Sequence, residues 1–225
     1  MDLRAIAEEL QPRSMAARDW VFQVIRTAII RGELPGGMPL RQDEMSQALS
    51  VSHIPVREAF RQLESQGLVR IYPNRGAVVT KLTLDEMKNI MDTRILLELG
   101  AIRMAVSSKQ MNEDVIEAAA AICNEFKTEK DINKLEDLNL QFHFTLYKPA
   151  QNPVLEQLID QLHANIDRYV RPCYSETQTH DNTYEEHMQL LEACKARDIE
   201  LAYAILRTHL ETTKVLLLSS QSNAQ

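Results

Sequence analysis

The sequence predicts a mainly α protein in two parts, an N-terminal winged helix-turn-helix followed by an all-α helical bundle. Three observations predict it. Between Pro35 and Val79, two short amphipathic segments meet at a tight turn and a basic hairpin follows at once. Beyond Thr80, apolar residues recur at helical spacing in stretches separated by short polar or proline breaks. Charge also divides along the chain. Residues 1–80 carry 10 Arg, no Lys and 9 acids, a balance near +1, whereas the remainder carries 15 basic and 23 acidic residues.

The first residues, MDLRAIAEEL, are acidic and lack a long apolar run, so neither a signal peptide nor a membrane anchor is expected. Residues 1–15 read as an N-terminal extension and residues 16–80 as the DNA-binding domain. Met45, Ala48 and Leu49 give one helix its apolar stripe, and Ser50-Val51-Ser52 makes the turn. Val56, Ala59, Phe60 and Leu63 mark the core face of a second helix. His53, Arg57 and Arg61 recur every four residues and form a largely basic strip beside that face. A basic helix supported by another across a turn is a solution for reading the major groove of double-stranded DNA. Ser52 is an N-cap candidate, but Pro55 has no amide for a capping box, which leaves the Ser52 hydroxyl for a phosphate. Ile71 to Val79, turning at Pro73-Asn74-Arg75-Gly76, reads as a two-stranded wing that carries Arg75, with Arg70 just before it.

Lys81-Leu82 is too short for a loose tether, and residues 81–83 form only a linker and cap. Thr83 and Glu86 have the spacing of a capping box. Six helices are expected, at roughly 84–106, 112–128, 132–148, 153–171, 180–196 and 198–218, with a polar, flexible tail over 219–225. Pro153 suits the first turn of its helix, where a missing N–H costs nothing. Cys123, Cys173 and Cys194 are odd in number and lack CxxC spacing, so they read as reduced thiols in a cytoplasmic protein. A net charge of −7 argues against an indiscriminate nucleic-acid binder.

The fragments GELPGGMPL (Gly32 to Leu40), VSHIPVREAF (Val51 to Phe60), QGLV (Gln66 to Val69) and PNRGAVV (Pro73 to Val79) occur in order. They resemble the winged helix-turn-helix of GntR-type bacterial transcription regulators. The resemblance implies DNA contacts from Ser52, His53, Ile54, Pro55, Arg57 and Arg61, with Arg41 ahead of them and Arg75 and Gly76 in the wing. It also implies an inverted-repeat operator bound by a homodimer. His53 departs from the family pattern, where arginine is usual. The shorter imidazole shifts the reading of bases toward Arg57 and the wing.

The helical part carries Arg94 and Glu98 in RILLE, then NLQFHFTLY (Asn139 to Tyr147), Asn152-Pro153, EEH ending at His187, and His209. These resemble the FCD effector-binding domain of the FadR subfamily, and six helices resemble its VanR-like branch. The resemblance implies a divalent metal, zinc or nickel foremost, held by Asn139, His143, His187 and His209. It also implies a small acidic metabolite bound near Arg94, His143, His187 and His209. Asn139 and His143 share a helix face, and three imidazoles with one oxygen suit a transition metal. Asn139 is neutral where relatives place a carboxylate, so an aspartate there is expected to tighten metal binding.

Arg94 has two readings, a helical pair with Glu98 or neutralisation of an acidic effector. His163 and His180 read as surface or packing residues, and Arg168 and Arg171 either as pocket residues or as a solvated face. The whole reads as a transcription repressor and not an enzyme. Two alternatives stand beside it. One is a metal-dependent enzyme using the histidine cluster, which HExxH or an activated nucleophile would have supported. The other is an architectural DNA-binding protein without a ligand, which gives the histidines no purpose.

Overall fold

The structure, a computed structural model, describes residues 3–10, 15–73, 76–175 and 177–222. The chain divides into two compact units, Met1–Thr83 and Leu84–Gln225.

The first unit runs α1 (Leu3–Glu9), α2 (Ala17–Ile30), β1 (Pro39–Leu40), α3 (Gln42–Leu49), α4 (His53–Ser65), β2 (Val69–Tyr72) and β3 (Gly76–Val79). Val21, Val24, Ile25, Ala28 and Ile29 of α2 meet Val56, Ala59, Phe60 and Leu63 of α4 in its core, as the spacing in α4 predicts. Met45 and Leu49 bury the matching stripe of α3. Ser50, at φ 55°, closes α3 in the left-handed region, and its N–H bonds the carbonyl of Gln47. α4 then starts in a new direction only three residues further on.

Two features of this unit were not expected from sequence. Residues 3–9 form a helix that packs on α2 and α3, with Leu3 and Ile6 buried and Arg31 gripping Glu9 through bonds of 2.6 and 2.8 Å. Seven residues are too few to display a helical period, so the segment read only as an extension. The wing is a three-stranded antiparallel sheet rather than a two-stranded one, in the order β1-β3-β2. β1 is two residues long, pairing Pro39 with Val78 and Leu40 with Ala77. Gly76 makes that closeness possible: at φ 82°, any Cβ it carried would overlap the carbonyl oxygen of Leu40. The expected turn residues Asn74 and Arg75 lie outside the described residues. Glu64 Oε1 accepts the Ile71 amide at 2.7 Å, which ties the end of α4 to β2.

The second unit is a bundle of six α-helices, α5 (Leu84–Ser107), α6 (Glu113–Thr128), α7 (Ile132–Tyr147), α8 (Pro153–Val170), α9 (Thr177–Lys195) and α10 (Ile199–Ser222). Short 3-10 turns follow α7 and α8, at Lys148–Ala150 and Arg171–Ser175. The breaks have local causes. Asn112 caps α6 by accepting from the Val115 amide, and Asp131 caps α7 by accepting from Asn133 and Lys134. Asn152 caps α8 by accepting from the Leu155 amide, with Pro153 in the first turn. α10 continues to Ser222, past the expected stop at 218. There the hydroxyls of Ser219, Ser220 and Ser222 bond carbonyls three or four residues back, so polar composition alone does not end the helix.

α10 packs on α5 and α9, α6 lies against α7 and α9, and α5 also meets α7 and α8. Ile102, Phe142, Leu146, Tyr147, Ile159, Leu190 and Leu206 fill the core. Cys123 and Cys194 are buried there and Cys173 is half-buried; all three are free thiols. Burial pushes Cys123 up to about 11 and Cys194 to about 12, so neither is a ready nucleophile. Among the described residues, no helix is long and apolar enough to cross a membrane.

Candidate DNA-contact face and metal centre

Burying Val56, Ala59, Phe60 and Leu63 forces the opposite side of α4 outward. Ser52, His53, Ile54, Arg57 and Arg61 are accordingly exposed, and Pro55 is half-buried. A groove of about 1040 Å³ runs between α4 and the sheet, and Arg41, Arg57, Arg61 and Gly76 all line it, with Tyr72 and Pro73. Four of the expected contact residues, distant in sequence, thus share one basic concavity. Ser52 occupies the N-cap position without a side-chain cap bond, so its hydroxyl is not consumed by the helix. His53 Nδ1 lies 3.3 Å from Asp43 Oδ1, an exposed contact across the turn between α3 and α4. Arg41 lies 3.8 Å from Glu44, exposed and loosely paired.

In the helical unit, α7, α9 and α10 bring His143, His187 and His209 together. Their ring centroids are 5.0, 5.1 and 5.3 Å apart, and each offers a nitrogen within 4.8 Å of the others. All three are buried, and Asn139, also buried, stands one turn ahead of His143 on the same face of α7. Among the described residues, four atoms here find no hydrogen-bond partner: Asn139 Oδ1, His143 Nε2, and both ring nitrogens of His187. Buried polar atoms are normally satisfied, and an unpaired one is costly.

A second layer of contacts explains which atoms face inward. His209 Nδ1 meets Glu186 Oε2 at 2.6 Å; the carboxylate accepts, so Nδ1 is the donor there and Nε2 is the nitrogen left for a metal. Tyr147 donates to Glu98 Oε2 at 2.8 Å, and its oxygen lies 3.4 Å from His143 Nδ1, which leaves Nε2 bare. Asn139 Nδ2 donates to both oxygens of Glu136 at 3.3 Å. A carboxylate only accepts, so this contact turns the amide oxygen the other way. The His187 ring lies 4.3 Å from that of Phe142 in a stack. Three imidazole nitrogens and an amide oxygen fit a borderline transition-metal ion such as zinc or nickel.

Electrostatics agrees with that donor set. Burial, and then the neighbouring histidines, hold His143 and His187 well below the ordinary imidazole value of 6.5, so both are neutral bases. Burial alone would raise Glu98, but Arg94 and His163 outweigh it and hold the carboxylate well below its usual range. Burial, and then the charge of Asp167, raise Glu136 well above 4.5 despite Arg171.

These shifts set the response to acid. Below pH 6.5 the unfolded chain takes up protons at positions 143 and 187 before the folded one, so these histidines lower stability as pH falls toward their depressed values. Glu136 acts oppositely, because its raised carboxyl protonates first in the fold. Individual titrations therefore decide the matter better than melting curves. In metal-free protein, NMR titration is expected to find His143 and His187 still neutral at pH 6, where an ordinary imidazole is mostly protonated. Ordinary titration near 6.5 would contradict their burial in a closed cluster.

Several sequence readings change. Arg94 and Glu98 form a buried pair at 2.9 Å, and the other Arg94 nitrogens meet His163 at 2.7 Å and the Met91 sulfur at 3.5 Å. Each of its three nitrogens thus has a contact within the protein. His163 is not a surface residue; it is buried in that network, next to both Arg94 and Glu98. Its partners are up to 69 positions away, so no local pattern announced it. Arg171 is not on a solvated face either. It is buried and bound by Asp167 at 2.8 Å, Asp137 at 3.0 Å and the Asn133 carbonyl at 2.9 Å. Arg168 is half-buried, its guanidinium 4.8 Å from the centre of the Tyr169 ring. His180 packs on Phe126 and lies 2.8 Å from its carbonyl. Sequence reading passed over Glu136, although its place three residues before Asn139 was a usable signal.

Comparison with known proteins gives the same division. Residues 17–79 match the family model described as bacterial regulatory proteins, gntR family, and residues 89–212 match the FCD domain. The HTH-type transcriptional regulator BphR of Paraburkholderia xenovorans is 30% identical over 85% of this chain and 81% of its own length. The HTH-type transcriptional repressor RspR of Escherichia coli is 27% identical over 85% of this chain and 84% of its own. The solved structure of E. coli McbR/YncC superposes with a TM-score of 0.82 at 21% identity, covering 92% of this chain and 99% of that one, which speaks for the fold.

Proposed function

The chain belongs to the GntR family of bacterial regulatory proteins and carries the FCD domain of its FadR-like members, and from that premise we propose that it is a homodimeric repressor released by a small acidic metabolite. That it is a DNA-binding transcription regulator follows from the family itself. Repression is supported by relatives that carry the word in their names, among them RspR and a probable D-xylose utilization operon repressor of Paenarthrobacter nicotinovorans.

In this reading α4 enters the major groove. Arg57 and Arg61 read or flank bases, Ser52 and Arg41 meet phosphates, and His53, Ile54 and Pro55 lie against the groove floor. Arg75 and Gly76 bring the wing to the backbone. One helix per chain offers few base contacts, so a dimer on an inverted repeat is the arrangement we assign.

The effector site rests on one observation, the unpartnered buried donors of Asn139, His143 and His187 beside His209. These four residues would hold a divalent ion, and the ion would supply an electrophilic seat for a carboxylate oxygen. Arg94 is assigned to fixing the chain Glu98–Tyr147–His143, and so acts on the effector site through His143. No catalytic role is proposed. Operator and effector would oppose each other by linkage, each weakening the other's binding by the same factor.

Mass spectrometry of the protein as purified, joined to footprinting on DNA selected in vitro, tests the reading. The expected result is bound zinc or nickel, and symmetric protection of an inverted repeat that a metabolic acid relieves only in the metal-loaded protein. Protection of a lone asymmetric half-site by one chain would overturn the dimeric operator. Relief that persists after metal stripping would overturn the metal-borne effector.

A further inference from the structure

Three imidazoles and an amide bring no negative charge to a dication, yet a buried carboxylate stands directly behind them. Glu136 is 3% exposed and lies three residues before Asn139 and seven before His143, so all three share one face of α7. Both of its oxygens are 3.3 Å from Asn139 Nδ2. The other buried carboxylates have basic partners in contact, Glu98 with Arg94 at 2.9 Å and Asp167 with Arg171 at 2.8 Å. Among the described residues, Glu136 has none; its hydrogen-bond partner is the Asn139 amide. An ionised carboxylate buried with no cation in contact is costly, and a cation held by the neutral four-donor cluster beside it would offset that cost.

We propose that Glu136 is the counter-charge of the metal site, a positioning residue that acts through Asn139. It holds the amide with Oδ1 toward the histidines, polarises it by accepting from its N–H, and supplies the charge that an aspartate at position 139 would otherwise bring. The carboxylate thus stands one helical turn before position 139, behind the donor set rather than within it. This rests on the metal reading above. It also revises the expectation that Asn139→Asp alone tightens binding. In the wild-type background a second carboxylate would stand against Glu136, and mutual repulsion offsets the gain.

Calorimetric titration of the metal-stripped, full-length protein with zinc tests this in four forms: wild type, Glu136→Gln, Asn139→Asp and the double variant. Loss of an outer-layer partner typically weakens metal binding by about 10–100-fold, and that is the expected effect of Glu136→Gln. Asn139→Asp alone is expected to change affinity by less than about tenfold, and the double variant to return to wild-type affinity or better, because the charge has only changed layers. A purely structural Glu136 would not be rescued by a carboxylate at 139. Unchanged affinity in Glu136→Gln, or a double variant as weak as that single one, would overturn the proposal. Should Glu136→Gln fail to fold, Asn139→Asp still decides: strong tightening beside an intact Glu136 would show that Glu136 is not the counter-charge. Failure of the wild type to bind zinc would instead overturn the metal reading itself.

Discussion

Arg57→Ala is expected to abolish specific operator binding while leaving both units folded. Arg57 is exposed on the outward side of α4 and lines the basic groove beside the wing. Its position follows a buried valine, so the helix cannot turn it elsewhere without exposing Val56. Loss of a bidentate base contact costs about 1–3 kcal/mol, and a dimer loses it in each half-site. Specific affinity should therefore fall by about 30-fold at least, toward the level of non-specific DNA. Alanine is a better helix former than arginine at an exposed position, so the melting temperature should not drop. Fluorescence anisotropy on operator and scrambled DNA reads both affinities. Unchanged discrimination in a folded variant would mean that this face of α4 does not read DNA.

His187→Ala is expected to weaken zinc binding by at least about 100-fold, beyond the usual effect of an outer-layer change. His187 comes from α9, stacks on Phe142, and contributes nitrogens that bond nothing else among the described residues. It is thus the donor whose removal breaks no other polar contact. The truncation leaves a small cavity between Phe126 and Phe142, so stability must be measured beside affinity. DNA affinity without effector should be preserved, because α4 and the wing belong to the other compact unit. Response to the effector should be lost. Equal zinc affinity in wild type and a well-folded His187→Ala would remove the metal, and leave the histidines to bind an anion directly.

How much of this was legible in the sequence depends on the range of the interactions. The recognition helix was readable because Val56, Ala59, Phe60 and Leu63 on one side, and His53, Arg57 and Arg61 on another, follow a 3.6-residue period that a single segment displays. Helix starts at Asn112, Asp131 and Asn152 come from bonds spanning two or three residues, and those too are local. β1 was missed because two residues have no period, and its pairing partner lies near position 78. α1 was missed for the same reason of length.

The candidate metal centre falls between these cases. Resemblance to a family supplied Asn139, His143, His187 and His209, and the bundle brings the histidines within reach of one another. Physics alone gave only that Asn139 and His143 share a face. The outer layer was beyond sequence reasoning: Tyr147 reaches Glu98 across 49 positions and Arg94 reaches His163 across 69.

By itself, then, the sequence determined the two-part α architecture, the face of α4 turned to solvent, and the family's set of site residues. The first two follow from side-chain order along single elements, where backbone periodicity fixes direction, and the third from resemblance. Only the tertiary structure decided which atoms of that set are left unpartnered, that Arg94 is held in a buried pair with Glu98, and that His163 and Arg171 belong to buried ion networks rather than to a surface. It also decided that a buried carboxyl group, Glu136, stands behind the neutral Asn139. Burial and desolvation depend on every helix packed around a group, and no property of one segment can report them.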